Sequence, residues 1–428
     1  MTEKDELMDL LMTLSDSEID ALLRAVEKGA VSLEGFGDTG EKSTSPVKVP
    51  SGSSKKSAAP RRSFTRGGKE VVPSGLPSGR SEKWFDREVS GLPKEGLQLL
   101  RQLEVQMNMP GSSHNVDRKQ LRYLKELRKM RLNVPSFFRE GLEPRELYRR
   151  LRSFCEENDI PVEIVRQIVP MIVNYVETGY MRPVIFVGDK GCGKTTAVRM
   201  LFEAALQIPV KVIKVPQEDG GHGMTGDCGT YQSADAGCIA KARLTNHSLL
   251  VVYVFDEIDK VTHGRNRASV DDELLSITDS SNSDIYDNFL ECSLVGLEHC
   301  PMLFTANDLS KVNPILADRC TVIRFPNADA ERIKSIAKKY VDKELSNKIY
   351  RPVVFNYDCM NKAIDKLVDR NVTSIRKHQQ MIEHVLQDVL NRVLEQDTDG
   401  PVEVTDEMFG QAVNSIMGTE ARRIGFGA

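Results

Sequence analysis

Phe186–Thr196 reads FVGDKGCGKTT, and its neighbours on either side decide how it is read. An apolar run, residues 183–187 (PVIFV), stops at Gly188, and a helical pattern, residues 197–205 (AVRMLFEAA), starts directly after Thr196. Between them Gly188, Gly193, Lys194 and Thr195 complete G-x-x-x-x-G-K-T in the order strand, glycine turn, helix start. Glycines let backbone N–H groups point inward at phosphate oxygens, and the helix start adds a favourable partial charge. The reading places Gly188, Asp189, Lys190, Gly191, Cys192, Gly193, Lys194, Thr195 and Thr196 around a polyphosphate. Lys194 then reaches the β- and γ-phosphates, and the Thr195 hydroxyl holds Mg²⁺. A lone glycine-rich turn can arise by chance, but a second motif removes most of that alternative.

The second motif is residues 249–259, LLVVYVFDEID. Seven apolar residues end in two adjacent carboxylates, the pattern of a buried parallel strand opening onto a site at its C-terminal end. Asp256 is expected in the Mg²⁺ shell and Glu257 as the general base that polarises the attacking water. An apolar run ending in acid is common by itself. Placed 62 residues beyond Lys194, it points to a nucleoside triphosphatase that uses ATP and Mg²⁺.

Length and composition set the bounds. At 428 residues the chain can hold two or three domains with sizeable cores. A net charge of −4 implies no global affinity for polyanions. The acidic start, MTEKDELMDL, lacks the layout of a secretory leader, and no apolar run approaches the roughly 18 residues that span a bilayer. The expectation is therefore a cytoplasmic protein without a membrane partner. Eight cysteines without a C-x-x-C pair read as reduced, buried thiols.

Along the chain, residues 1–29 form a short amphipathic helical element and residues 30–82 a Ser/Pro/Gly/basic stretch that cannot bury a core and reads as a disordered linker. Helical periodicity covers 83–152. Its strongest charge run, 118–131, sets Leu121, Leu124, Leu127 and Met130 on one stripe with Arg and Lys opposite. That basic face is either solvated or a contact for a nucleic-acid backbone. Short apolar strands at 183–187, 210–215, 249–255, 301–306 and 321–325 alternate with helices, a three-layer α/β pattern with a parallel sheet over 153–327. A helical domain follows over 328–420.

These pieces resemble the AAA+ superfamily, and within it the ATPase module of Lon proteases, over roughly residues 153–418. The resemblance is carried by the phosphate loop, FDEIDK (255–260), FTAND (304–308), NPILADRCTVIRF (313–325) and TSIRKHQQMI (373–382). It implies an AAA+ nucleotide domain with a C-terminal helical lid. It also implies that Asn307 is sensor 1, orienting the attacking water, that Arg319 is an arginine finger reaching a neighbouring subunit's γ-phosphate, and that Arg376 is sensor 2. A finger in that role makes hydrolysis depend on a homo-oligomeric ring, expected to be a hexamer. Tyr231 falls on the family's aromatic pore-loop position, and residues 263–269 on a second, basic pore loop.

Two departures shape the expectation. Asp189 and Lys190 stand where the family usually has paired prolines. Lon proteases also continue into a Ser–Lys peptidase domain, whereas 52 residues follow Arg376 here, so no peptidase is expected on this chain. The function expected is a ring motor that remodels or translocates a protein substrate, recruiting it or an effector partner through the N-terminal region. The contrasting expectation is a nucleic-acid-associated AAA+ ATPase, such as a mobile-element or replication accessory factor, using the basic helix and linker.

Overall fold

The computed structural model describes residues 84–86, 89–108, 115–139, 141, 143–215, 222–228, 233–260, 267–279, 285–395 and 400–424. The expected N-terminal element and linker lie outside the described residues, as do Tyr231 and positions 263–266 of the second pore loop.

Up to residue 327 the strands, in chain order, are β1 (Val184–Val187), β2 (Val210–Lys214), β3 (Val252–Asp256), β4 (Ile285–Asp287), β5 (Cys292–Leu294), β6 (Met302–Ala306) and β7 (Thr321–Arg324); beyond them Val353–Val354 and Val402–Glu403 form a separate short parallel pair. β1, β2, β3, β6 and β7 form one sheet in the order β2-β3-β6-β1-β7, parallel throughout. The inner strands β1, β3 and β6 are buried along nearly their whole length. That is why their sequences, VIFV, VYVFD and MLFTA, show apolar runs rather than alternation. β4 and β5 make a separate antiparallel pair that the sequence pattern does not announce.

The strand expected over 249–255 starts only at Val252. The Leu249 N–H instead donates to Arg131 O (3.1 Å) and the Leu250 N–H to Ser248 Oγ (3.1 Å), so these buried residues are bonded outside the sheet. Val252 N–H donates to Pro209 O (2.9 Å), where the neighbouring strand begins.

The helices before the sheet are α1 (Lys94–Met107), α2 (Asn115–Lys129), α3 (Ser136–Arg139), α4 (Pro144–Glu157) and α5 (Val162–Thr178). They share one hydrophobic core with the sheet, running from Trp84 to Phe325. Trp84 pins the first residues down: its Nε1 donates to Val176 O (3.0 Å), and its ring lies over Gly179. Gly179 ends α5 in the left-handed conformation (φ 73°), and a Cβ there would sit 2.5 Å from the indole. On α2, Leu124 and Leu127 are fully buried while Arg118, Arg122, Lys125 and Arg128 face outward. Part of that charge is paired, Lys125 with Glu104 (3.0 Å) and Lys119 with Asp235 (2.9 Å).

Around and between the strands lie α6 (Lys194–Arg199), continued by a π-helical turn (Met200–Ala205), then α7 (His222–Thr225), α8 (Cys238–Asn246), α9 (Arg267–Ile277) and α10 (Pro314–Arg319). After the sheet, α11 (Ala330–Leu345), α12 (Tyr357–Val368), α13 (Ile375–Glu395) and α14 (Asp406–Ile424) enclose a second core built on Ile333, Val341, Ile364, Ile382, Val385 and Phe409. Side chains close the helix starts: Asp329 accepts from Arg332 N–H, and Asn356 from Asp358 and Cys359 N–H. The cysteines are free thiols, and Cys228 is exposed rather than buried. Among the described residues no helix is long and apolar enough to cross a membrane.

Candidate nucleotide site

The phosphate loop leaves the C-terminal end of β1 and turns into α6. Gly191 (φ 84°) and Gly193 (φ 102°) occupy backbone conformations that residues with a Cβ rarely adopt. Lys194 is buried, and its Nζ donates to Gly188 O (2.7 Å), Asp189 O (3.1 Å) and Asn307 Oδ1 (3.2 Å). Cys192 is tucked inward, and burial pushes its thiol up against the opposing pull of Lys194. The Asp189 carboxylate accepts from Asn327 Nδ2 (2.9 Å), while Lys190 and Thr196 line the cleft.

At the end of β3, Asp256 Oδ1 accepts from the Thr195 hydroxyl (3.2 Å) and the Thr305 hydroxyl (2.5 Å). A hydroxyl beside a carboxylate is a hard-oxygen donor set suited to Mg²⁺, which keeps much of its shell as water and phosphate oxygen. Glu257 has φ 60°, a strained value for a residue with a side chain, and its N–H donates to Thr305 Oγ1 (3.0 Å). Lys260 binds the Glu257 carboxylate (2.6 Å) and holds it below the ordinary carboxylate range, so it is ionised at neutral pH. Asn307 is held on both sides: Oδ1 accepts from Lys194, and Nδ2 donates to Asp259 Oδ2 (3.3 Å).

Sequence reading passed over Thr305 and Asp259, although both lie inside motifs it quoted. Phe255 pairs with Phe304 across β3 and β6, so one register step brings Thr305 beside Asp256. The sequence does not reveal which strands are neighbours.

The lid closes the other side. Ile375 N–H donates to Gly191 O (3.1 Å), and a Cβ on Gly191 would fall 2.2 Å from Ser374 Oγ. Arg376, at the start of α13, lines the same cleft as Lys194 and Glu257. The lining also has an apolar part, with Ile160, Met200 and Ile336 beside the polar Asn158 and Asp159. The cleft thus joins a polyphosphate-binding part to an apolar part of the kind that accepts a base. No sequence motif marked the apolar part, because residues far apart in the chain supply it. Arg319 is the site residue that does not join the group. Its Nη1 donates to Leu275 O (2.6 Å), its Nη2 lies 3.7 Å from Asp279, and it is not among the cleft's lining residues.

Residues 184–327 match the family model for the ATPase family associated with various cellular activities (AAA). This segment is an AAA domain. The chain is also similar to Lon proteases over their ATPase region. A Lon protease homolog of Acanthamoeba polyphaga mimivirus is 29% identical over 165 residues, 38% of this chain and 16% of its own length. The Lon protease of Flavobacterium johnsoniae is 29% identical over 180 residues, 41% of this chain and 21% of its own. That of Campylobacter concisus is 26% identical over 224 residues, 51% and 27% respectively. In each case the match spans less than a third of the relative. The AAA domain and its Lon-like relationship agree with the expectation from the motifs.

Proposed function

We propose that the chain is an ATP-hydrolysing AAA+ motor that assembles as a homo-oligomeric ring, a hexamer, and remodels or translocates a protein substrate. The observation that carries the ATPase reading is the convergence of Lys194, Thr195, Asp256, Glu257, Asn307 and Arg376 on one cleft at the C-terminal edge of the sheet. Lys194 leaves its carbonyl partners for the β- and γ-phosphates of ATP, the exchange of a neutral acceptor for a charged one being favourable. Thr195 and Asp256 would hold Mg²⁺, which neutralises charge on the phosphates when bound. Glu257, ionised and aimed by its strained backbone, accepts a proton from the attacking water. Asn307, held by Asp259, orients that water.

Arg319 acts on a neighbouring subunit's ATP in this reading. Its absence from the cleft of its own chain supports that arrangement. Arg376, at the first turn of the helix that touches Gly191, links nucleotide state to lid position. Tyr231, outside the described residues, supplies the grip on substrate, and the N-terminal region recruits the substrate or an effector.

The test is an ATPase assay with added polypeptide. Unfolded protein is expected to raise turnover, and Tyr231→Ala to remove that stimulation. Stimulation by DNA alone, indifferent to Tyr231→Ala and lost on neutralising Arg122 and Arg128, would replace the remodeller reading with the nucleic-acid one.

A further inference from the structure

The nucleotide cleft contains a cation that makes no ion pair among the described residues. Arg332, in the first turn of α11, is half-buried at the cleft wall. Its Nε donates to the Asp159 carbonyl (2.8 Å), a neutral acceptor. Its Nη1 is buried and, among the described residues, has no hydrogen-bond partner. Its Nη2 lies 3.6 Å from where a Cβ on Gly193 would stand, against the phosphate loop itself. Asp159, Asp329 and Glu163 lie near enough to act on its charge, but none forms an ion pair with it among the described residues, and the Asp159 carboxylate is taken by Lys339, which also binds Glu157 O. Lys339 therefore already ties α11 to the 157–160 turn, and the two Nη groups are surplus to that tie.

A guanidinium partly withdrawn from water without a direct ion pair is unfavourable by itself, and burial lowers its proton affinity. The chain tolerates it beside loop N–H groups that cradle α- and β-phosphates. Building on the nucleotide-site reading above, we propose that Arg332 binds the diphosphate portion of the nucleotide, a lid cation distinct from Lys194 and Arg376. Both ADP and ATP carry that diphosphate. Arg332 thus holds the lid to the phosphate loop before and after hydrolysis, and lid opening accompanies ADP release rather than γ-phosphate loss.

The geometry sets the expected effect. Truncating one partner of a charge-assisted hydrogen bond weakens binding by about 10- to 100-fold. Titration calorimetry of the full chain with ADP and with a non-hydrolysable ATP analogue reads it directly. Arg332→Gln is expected to weaken both ligands by similar factors while leaving the ligand-free melting temperature within about 2 °C, and Arg332→Lys to recover part of the loss. Unchanged affinity in Arg332→Gln, or loss confined to the ATP analogue, overturns the assignment. If Arg332→Gln melts well below the parent, Arg332→Lys decides. Parental ligand-free stability with weakened ADP binding supports the proposal, and parental ADP binding overturns it. A parent protein that binds neither ligand, with Lys194→Ala no different, overturns the nucleotide-site reading itself along with this one.

Discussion

Thr305→Val tests how the site holds its two carboxylates. Thr305 is buried on β6, and its single hydroxyl serves two masters: it donates to Asp256 Oδ1 (2.5 Å) and accepts from Glu257 N–H (3.0 Å). Valine matches its shape and removes both bonds. The Glu257 backbone sits at φ 60°, a conformation that costs about 1–3 kcal/mol and persists only where surroundings impose it. The imposed anchor is that N–H bond, and losing it strands a backbone donor, a penalty of about 1–3 kcal/mol. Anchor and strain are of the same size, so removing the anchor lets Glu257 relax and turns its carboxylate off the line of attack. A displacement of about 1 Å at a catalytic group lowers rate about 100-fold. The expectation is a kcat reduced about 30- to 100-fold, with affinity for a non-hydrolysable ATP analogue within about threefold, because the phosphate loop is untouched. Thr305→Ser keeps the hydroxyl and is expected to stay within about threefold of the parent. Coupled-enzyme ATPase kinetics alongside calorimetry separates the two effects. Parental turnover in Thr305→Val would refute the claim that this hydroxyl aims Glu257.

Three further outcomes follow from the same geometry. Glu257→Gln should bind ATP yet hydrolyse it at least about 100-fold more slowly, because removal of a general base costs about 10²–10⁴ in rate; single-turnover phosphate release measures it. Arg319→Ala should bind nucleotide but not hydrolyse it, and mixing it with equally inactive Lys194→Ala should restore activity by pairing intact halves; no recovery at any mixing ratio speaks against a shared site. Burial pushes Glu273 up to about 7 and Asp287 up to about 6, above their ordinary 4.5 and 3.8, so the folded protein holds more protons in that interval. Stability contributed there is present at low pH and is lost as pH rises toward about 7. Glu273 has one carboxylate oxygen buried without a partner, so Glu273→Gln should raise the melting temperature by about 2–4 °C at pH 8 and by less at pH 5, read by differential scanning fluorimetry.

Much of the fold was legible because it is written in runs of consecutive residues. The apolar strand sequences are unambiguous where both faces of a parallel sheet are covered, and the observed strands at 184–187, 210–214, 302–306 and 321–324 fall within the expected spans. The displaced start of β3 was not legible, because Leu249 to Val251 are as apolar as a strand, while Leu249 bonds to Arg131, more than a hundred residues earlier, and Leu250 to the Ser248 hydroxyl. Nor was the β4–β5 pair, whose short strands rest on a buried carboxylate: Asp287 accepts from the N–H groups of Gly237, Phe289 and Leu290.

Local sequence by itself determined the chemistry of the phosphate loop, since glycine conformation, a lysine and a hydroxyl at fixed spacing need no distant partner to be recognised. It likewise determined that two acids stand at a strand end. Tertiary structure alone decided what those groups touch. The register of β6 against β3 brings Thr305 between Asp256 and Glu257, and the same strand end brings Asn307 between Lys194 and Asp259. The lid sets Arg376 and Arg332 in the same cleft as the loop. Hydrogen bonds and ion pairs depend on ångström distances between residues far apart in the chain, and sequence spacing carries no such distances until the strand order and the lid's docking are known.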